Sequence, residues 1–208
     1  MHSSMFFNEV INNFEGLSQT QKYQFEQIES IYVQRNAKLN LISKKDIENI
    51  YLKHVLHSLS IAKIVSLRLG ARILDVGTGG GFPGIPLAIF FPQAHFNLID
   101  SIGKKISAVT AIVKELNLSN VTLQNIRAEE IKGQYDFILG RAVADLKIFF
   151  NWVKARISTN CTHSIPNGVL YLRGDEPIKI NIKHNVYNIN TFFSNSFFAS
   201  KKIFHLYL

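Results

Sequence analysis

The sequence has one cysteine, Cys161, among 208 residues. A lone thiol cannot close an internal disulfide or build a cysteine-rich zinc site, so no such staple and no metal is expected. No apolar run approaches the roughly 20 residues of a membrane-spanning helix, and no membrane partner is expected. The first residues, MHSSMFFNEVINNF, lack the basic segment followed by a long apolar one that marks a secretory signal. A cytoplasmic protein is the expectation. Charged residues make up 18% against 47% hydrophobic, which excludes a disordered chain and points to a globular one. Internal repeats and low-complexity linkers are absent too.

Acidic residues are in deficit: 15 Asp and Glu face 23 Lys and Arg, leaving a net charge of +8. The excess is spread out, with nine basic against six acidic residues up to position 72 and fourteen against nine beyond it. Such a balance favours a polyanionic partner, nucleic acid ahead of a membrane surface. A composition rich in Lys, Asn, Ile and Phe throughout accounts for it as well.

Strand signals are missing from residues 5–69. Tyr23, Ile28, Ile31 and Tyr32 recur at helical spacing, with Ser18 placed to cap. Leu52, Val55, Leu56, Leu59 and Ala62 form a second helical stripe, with Gly70 as its stop. From Arg72 short apolar runs alternate with helical ones. RILDV, HFNLID, VTLQNI, YDFILG and GVLYLRG read as strands, and SIGKKISAVTAIVKELN and DLKIFFNWVKARIS as helices. In the first of these helices Ile102, Ile106, Val109, Val113 and Leu116 fall on one side. A shorter helix runs from about Pro83 to Phe91, and VYNINTFF and KKIFHLYL close the chain as two more strands. This alternation predicts an α/β fold: a mostly parallel sheet with an antiparallel edge, over 71–208, plus a helical segment over 1–70, together one unit.

The stretch ILDVGTGGGFPGIP puts five glycines in fourteen residues directly after the first strand. Bare backbone there lets a ligand approach the start of the next helix. A phosphate-binding P-loop is excluded, because no Lys-Ser/Thr follows the glycines. Gly79, Gly81 and Gly84 do match the Gly-x-Gly-x-x-Gly pattern of dinucleotide sites. Pro83 and Pro86 interrupt that reading, and the charge of Asp75 opposes a pyrophosphate. S-adenosylmethionine has no phosphate, and Asp75 can sit near its cationic groups. Asp100 ends the second strand, 25 residues on, where a carboxylate holds ribose hydroxyls. It can also cap the following helix. A methyltransferase leads, with an NAD-dependent oxidoreductase as the rival and a non-catalytic ribosome-binding protein behind both.

The methyl acceptor is narrowed by further absences. Cytosine C5 needs a cysteine nucleophile, and Cys161 lies away from any strand end. Exocyclic amines usually come with an Asn/Asp-Pro-Pro-aromatic tetrapeptide after the fourth strand, where this chain has GRAVADL. A ring nitrogen with a free lone pair needs neither.

On NAKLNLIS, LKHVLHSL, LDVGTGGGFPGIPLAI, LIDSIGKK and GRAVADL, the sequence resembles the bacterial small-subunit ribosomal RNA guanine-N7 methyltransferases, the RsmG (GidB) family, over about residues 30–175. The resemblance implies a class I, Rossmann-like S-adenosylmethionine-dependent methyltransferase acting on N7 of a guanine in the 530 loop of 16S rRNA, with the rRNA or the small ribosomal subunit as partner; a monomer is the expectation. It implies cofactor contacts at Gly77, Gly79, Phe82, Asp100, Ala128, Glu129 and Arg141, and catalytic roles for Arg141 and Arg127. Lys53 and His57 depart from the family's usual Arg and Asp, Gly140 from its Ser and Arg173 from its Lys.

Other readings of the same side chains stay open. His54 and His57 sit three apart and suit packing or RNA contact better than a metal. Arg141 can pair with Asp145. Lys104 and Lys105 at a helix start are candidates for phosphate contacts. Arg35, Lys38, Lys44, Lys45 and Lys53 can form a basic surface for RNA. Phe6, Phe7 and Phe14 read as core.

Overall fold

Strands β1 (Arg72–Val76), β2 (His95–Asp100), β3 (Val121–Asn125), β4 (Phe137–Arg141), β5 (Gly168–Arg173), β6 (His184–Asn188) and β7 (Lys202–Tyr207) form one sheet in the order β3-β2-β1-β4-β5-β7-β6. The computed structural model describes residues 2–37, 39–176 and 181–208, without the side chains of 2–6 and 44. The first five strands are parallel, and β7 runs antiparallel between β5 and β6. β1, β4 and β5 are buried almost throughout, as apolar parallel strands covered on both faces should be. The order reverses at β1, which pairs with β2 on one side and β4 on the other. The crevice beyond the carboxyl ends of such strands is where α/β sheets bind ligands.

Helices α1 (His2–Asn13), α2 (Gln19–Asn36), α3 (Lys44–Ile47) and α4 (His57–Leu59) precede the sheet; α5 (Gly84–Phe90), α6 (Gly103–Glu115) and α7 (Leu146–Val153) alternate with its strands. Ser18 does cap α2: its hydroxyl accepts from Gln21 N while the Gln21 side chain accepts from Ser18 N. The buried stripe of α2 is Phe25, Ile28, Ile31 and Tyr32. Tyr23 was expected in it but is 61% exposed, being two residues, about 200°, from Phe25.

The second helical stripe also differs. It is π-helical over Tyr51–Leu56, α-helical over His57–Leu59 and 3₁₀ over Ser60–Lys63. It ends well before Gly70. The last helical residue is Lys63, and the segment beyond it is tied down by Gln93, whose side chain donates to Leu67 O and whose carbonyl accepts from Gly70 N. Ile102 precedes α6 instead of packing under it and is 48% exposed. Pro83 is the residue before α5 rather than its first. The VYNINTFF strand stops at Asn188, because Phe193 and Phe198 turn inward and bury. Phe14 is core and Phe7 packs against it, while the Phe6 side chain lies outside the described residues.

One apolar cluster joins the N-terminal helices to a face of the sheet, from Val10, Phe25 and Leu56 through to Leu98, Leu139 and Leu170. A second, with Val76, Ile138, Phe149 and Tyr171, fills the space under α7. Among the described residues, no helix is long and apolar enough to cross a membrane.

Candidate active site

The loop after β1 turns on glycines in the left-handed region. Gly77 has φ +66°, and a Cβ there would come within 2.9 Å of Val143. Asp75 does not line the cavity described below. It is buried, and its Oδ2 accepts from Thr78 Oγ1 at 2.6 Å and Gly84 N at 3.0 Å. Burial raises its pKa to about 6. Asp75 therefore shapes the loop and the start of α5. Asp100 ties the neighbouring loops: Oδ2 accepts from Gly79 N at 3.0 Å and Oδ1 from Ile102 N at 2.9 Å. A carboxylate with two such partners keeps lone pairs for hydroxyl donors.

A cavity of about 320 Å³ opens over these strand ends, lined by Gly77, Asp100, Ser101, Lys105, Arg127, Ala128, Glu129, Val143 and Trp152 among others. Ala128–Glu130 form a 3₁₀ turn after β3, with Arg127 leading into it. Of the eight sequence-derived positions, Gly77, Asp100, Arg127, Ala128 and Glu129 line this cavity. Gly79, Phe82 and Arg141 do not.

Arg141 ends β4 and turns the other way. Its Nη2 lies 2.8 Å from His54 Nδ1, Nη1 donates to Lys53 O at 3.4 Å, and the guanidinium sits 5.3 Å over the Phe82 ring. Guanidinium can only donate, so His54 Nδ1 accepts and the imidazole proton is on Nε2. Burial, helped by the Arg141 charge, lowers the His54 pKa to about 3; burial lowers Arg141 to about 10. Phe82 is buried between His54 at 4.8 Å and Tyr32 at 5.0 Å. The alternative Arg141–Asp145 pair is not made: Asp145 caps α7 through Lys147 N. Among the described residues no carboxylate lies in ion-pair reach of Arg141.

Gly140 has a local cause. A Cβ there would meet Phe149 Cζ at 2.6 Å and the Tyr171 ring at 2.7 Å. Tyr171 occupies that space to hold the loop after β4: its hydroxyl accepts from Val143 N and Ala144 N and donates to Ala144 O. Ala142, between Arg141 and this anchor, has φ +53°.

A second cavity, about 430 Å³, lies beyond Ala142 and is lined by Lys53, His54, His57, Arg141, Arg173, Phe197 and Lys201 among others. His57 packs edge-on to Phe197 and Phe198, and burial holds its pKa well below 6.5. Among the described residues no group of three His, Cys, Asp or Glu is placed to hold a metal ion. The expected basic surface is partly neutralised, since Arg35 pairs with Glu115 and Lys53 with Asp46. Lys38 and the Lys44 side chain lie outside the described residues.

The family model described as rRNA small subunit methyltransferase G matches residues 21–191. This chain belongs to that family. It is 49% identical to ribosomal RNA small subunit methyltransferase G of Flavobacterium psychrophilum, over 95% of this chain and 96% of that one. The protein of the same name from Bacteroides fragilis is 42% identical, over 95% and 98%. Solved structures share the fold at low identity. MtNAS in complex with MTA and tNA is 12% identical, covering 92% of this chain and 75% of that one, with TM-score 0.58. An rRNA methylase from Streptococcus thermophilus is 10% identical, covering 75% and 97%, with TM-score 0.50. The chain is thus a class I S-adenosylmethionine-dependent methyltransferase, and the oxidoreductase and non-catalytic readings find no support. The cavity residues fit that cofactor: bare backbone at Gly77, the accepting carboxylates of Asp100 and Glu129, and apolar walls at Val143 and Trp152. Sequence reasoning about this methyltransferase missed Trp152, Tyr171, Phe197 and Lys201. None stands in a recognisable motif; each is brought in by the way the chain folds back.

Proposed function

We propose that this methyltransferase acts on N7 of a guanine in the 530 loop of 16S rRNA. The reading is carried by one observation: a cavity lined by Gly77, Asp100, Ala128 and Glu129 adjoins a second, cationic one across Ala142. S-adenosylmethionine, when bound, supplies an electrophilic methyl group on a positively charged sulfur. Asp100 would accept from its ribose hydroxyls, Gly77 would offer bare backbone to its amino-acid tail, and Ala128 and Glu129 would stand on the side that follows β3, while Gly79, outside the cavity, acts through the hydrogen bond from its N–H to Asp100. Arg127 stands at the rim toward the RNA. N7 carries a lone pair and no proton, so no general base is required and positioning with electrostatics carries the rate. Arg141, held by His54 and the Lys53 carbonyl over Phe82, is a preset positive charge beside the reacting groups. Phe82 acts through Arg141.

The partner in this reading is the small ribosomal subunit or its 16S rRNA, met in the cytoplasm by a monomer. Residues 1–70 and 71–208 work as one unit, the first supplying a wall of the second cavity. The test is methyl transfer from labelled S-adenosylmethionine to small subunits from a strain lacking the native activity, followed by mapping of the base. Label on guanine N7 in the 530 loop is the expected result. Label on another base refutes the target, and no label refutes the proposal.

A further inference from the structure

The second cavity has features that the cofactor does not use. Four cationic side chains line it, Lys53, Arg141, Arg173 and Lys201, against one carboxylate, Asp46. Lys201 lies 5.3 Å over the Phe197 ring, and among the described residues it has no carboxylate partner. Arg173 is paired with Glu176, whose side chain is 80% exposed. The Arg173 side chain itself is only 16% exposed, but its carboxylate partner stands in solvent, where an incoming anion can replace it. An aromatic face interleaved with cations is the chemistry that takes unpaired nucleotides: bases stack on the ring and the backbone sits on the charges. The volume, about 430 Å³, suits one small ligand and cannot admit a duplex. The cavity also meets the cofactor cavity at Ala142, so a base held here lies beside the methyl donor.

We propose that this cavity binds a single unpaired nucleotide of the RNA, its base on Phe197 and its phosphate on Lys201 and Arg173. The proposal rests on the rRNA-methylation reading above and names the acceptor's seat. It makes the bound RNA locally single-stranded.

The test is equilibrium binding of a fluorescent single-stranded RNA with the 530-loop sequence, alongside methyl transfer to small subunits. Phe197→Ala should weaken RNA binding at least tenfold. Lys201→Ala should weaken it several-fold and reduce the slope of log affinity against log salt by about 0.7. S-adenosylmethionine affinity, followed by Trp152 fluorescence, should stay within twofold. The same RNA annealed to its complement should compete poorly. Where Phe197→Ala lowers Tm, Phe197→Leu keeps the packing on His57 and Phe198 and still removes the stacking face; it too should lose affinity. Wild-type affinity in these variants, no RNA binding by the wild type at low salt, or equal competition by the duplex overturns the proposal. If RNA binds through these residues yet no methyl is transferred, the activity reading fails and the cavity stands. If methylation proceeds and the variants bind and react normally, the cavity fails and the activity stands.

Discussion

Two cavities meet at Ala142, and they are built from different materials. The cofactor cavity is made at strand ends, from glycine backbone, Asp100 and the turn after β3. Its parts come from successive turns between Val76 and Trp152, because each βα turn delivers its residues to the same end of the sheet. The second cavity draws on the irregular helical stretch at 51–57, the end of β5, and the turn and loop at 197–201. Nothing local links those pieces. Where backbone geometry makes a site, sequence pattern announces it; where side chains from distant segments make it, packing does.

Arg141 stands between the two, and its removal is the strongest way to break the comparison. Arg141→Ala should cut methyl transfer at least a hundredfold, about 2.7 kcal/mol, while the chain stays folded by Tm. Near-normal turnover would mean that the reaction ignores the second cavity's wall.

Next comes the floor beneath Ala142. Gly140→Ser should cost about 1–3 kcal/mol of stability, the usual penalty for an overfilled core, read by urea unfolding. Adding Tyr171→Leu should recover part of that loss, since its ring is one of the two obstacles; strict additivity would locate the strain at Phe149.

Tyr171→Phe should cost about 1–2 kcal/mol by leaving Val143 N and Ala144 N without their partner. Because Val143 lines the cofactor cavity, S-adenosylmethionine affinity should fall several-fold in a Trp152 fluorescence titration. Unchanged affinity would show that the loop holds its shape without the hydroxyl.

A smaller effect sharpens the contrast through pH. His54 and His57 have folded-state pKa values below the ordinary 6.5, His54 at about 3. As pH falls below about 6.5 the unfolded chain takes up protons first, so stability declines. Asp75 acts oppositely: its folded value of about 6 exceeds the ordinary 3.8, so over that window acid favours the folded state. His205 is lowered by burial as well, and Glu9 is raised by it; three histidines against two carboxyls leave a net loss, and Tm should drop between pH 7.5 and 5.5. His57→Phe should flatten that decline; a variant that tracks the wild type at every pH would show that His57 is not held neutral.

Particular residues show how far the pattern reached. The five parallel strands were legible because buried parallel strands are continuous apolar runs. Ser18 was legible as a cap, and Gly77 and Asp100 as loop and strand end. Tyr23 misled because a tyrosine near a helical stripe reads as part of it, and only the turn of α2 against the sheet selects Phe25. Gly70 misled because a glycine after an apolar run looks like a helix stop, whereas the helix has already ended at Lys63. Asp75 looked like a ligand for positive charge; Thr78 and Gly84 claim its Oδ2, while its Oδ1 is buried without a hydrogen-bond partner among the described residues.

By itself the sequence determined the alternating α/β order, the glycine loop after β1 and the acid after β2, hence the family and its cofactor, because those signals are local and periodic. Only the tertiary structure decided that Arg141 turns toward His54, that Tyr171 needs Gly140, and that Phe197 and Lys201 join Arg173 around one space. Those contacts join residues 24 to 87 positions apart, and side-chain packing alone sets which of them meet.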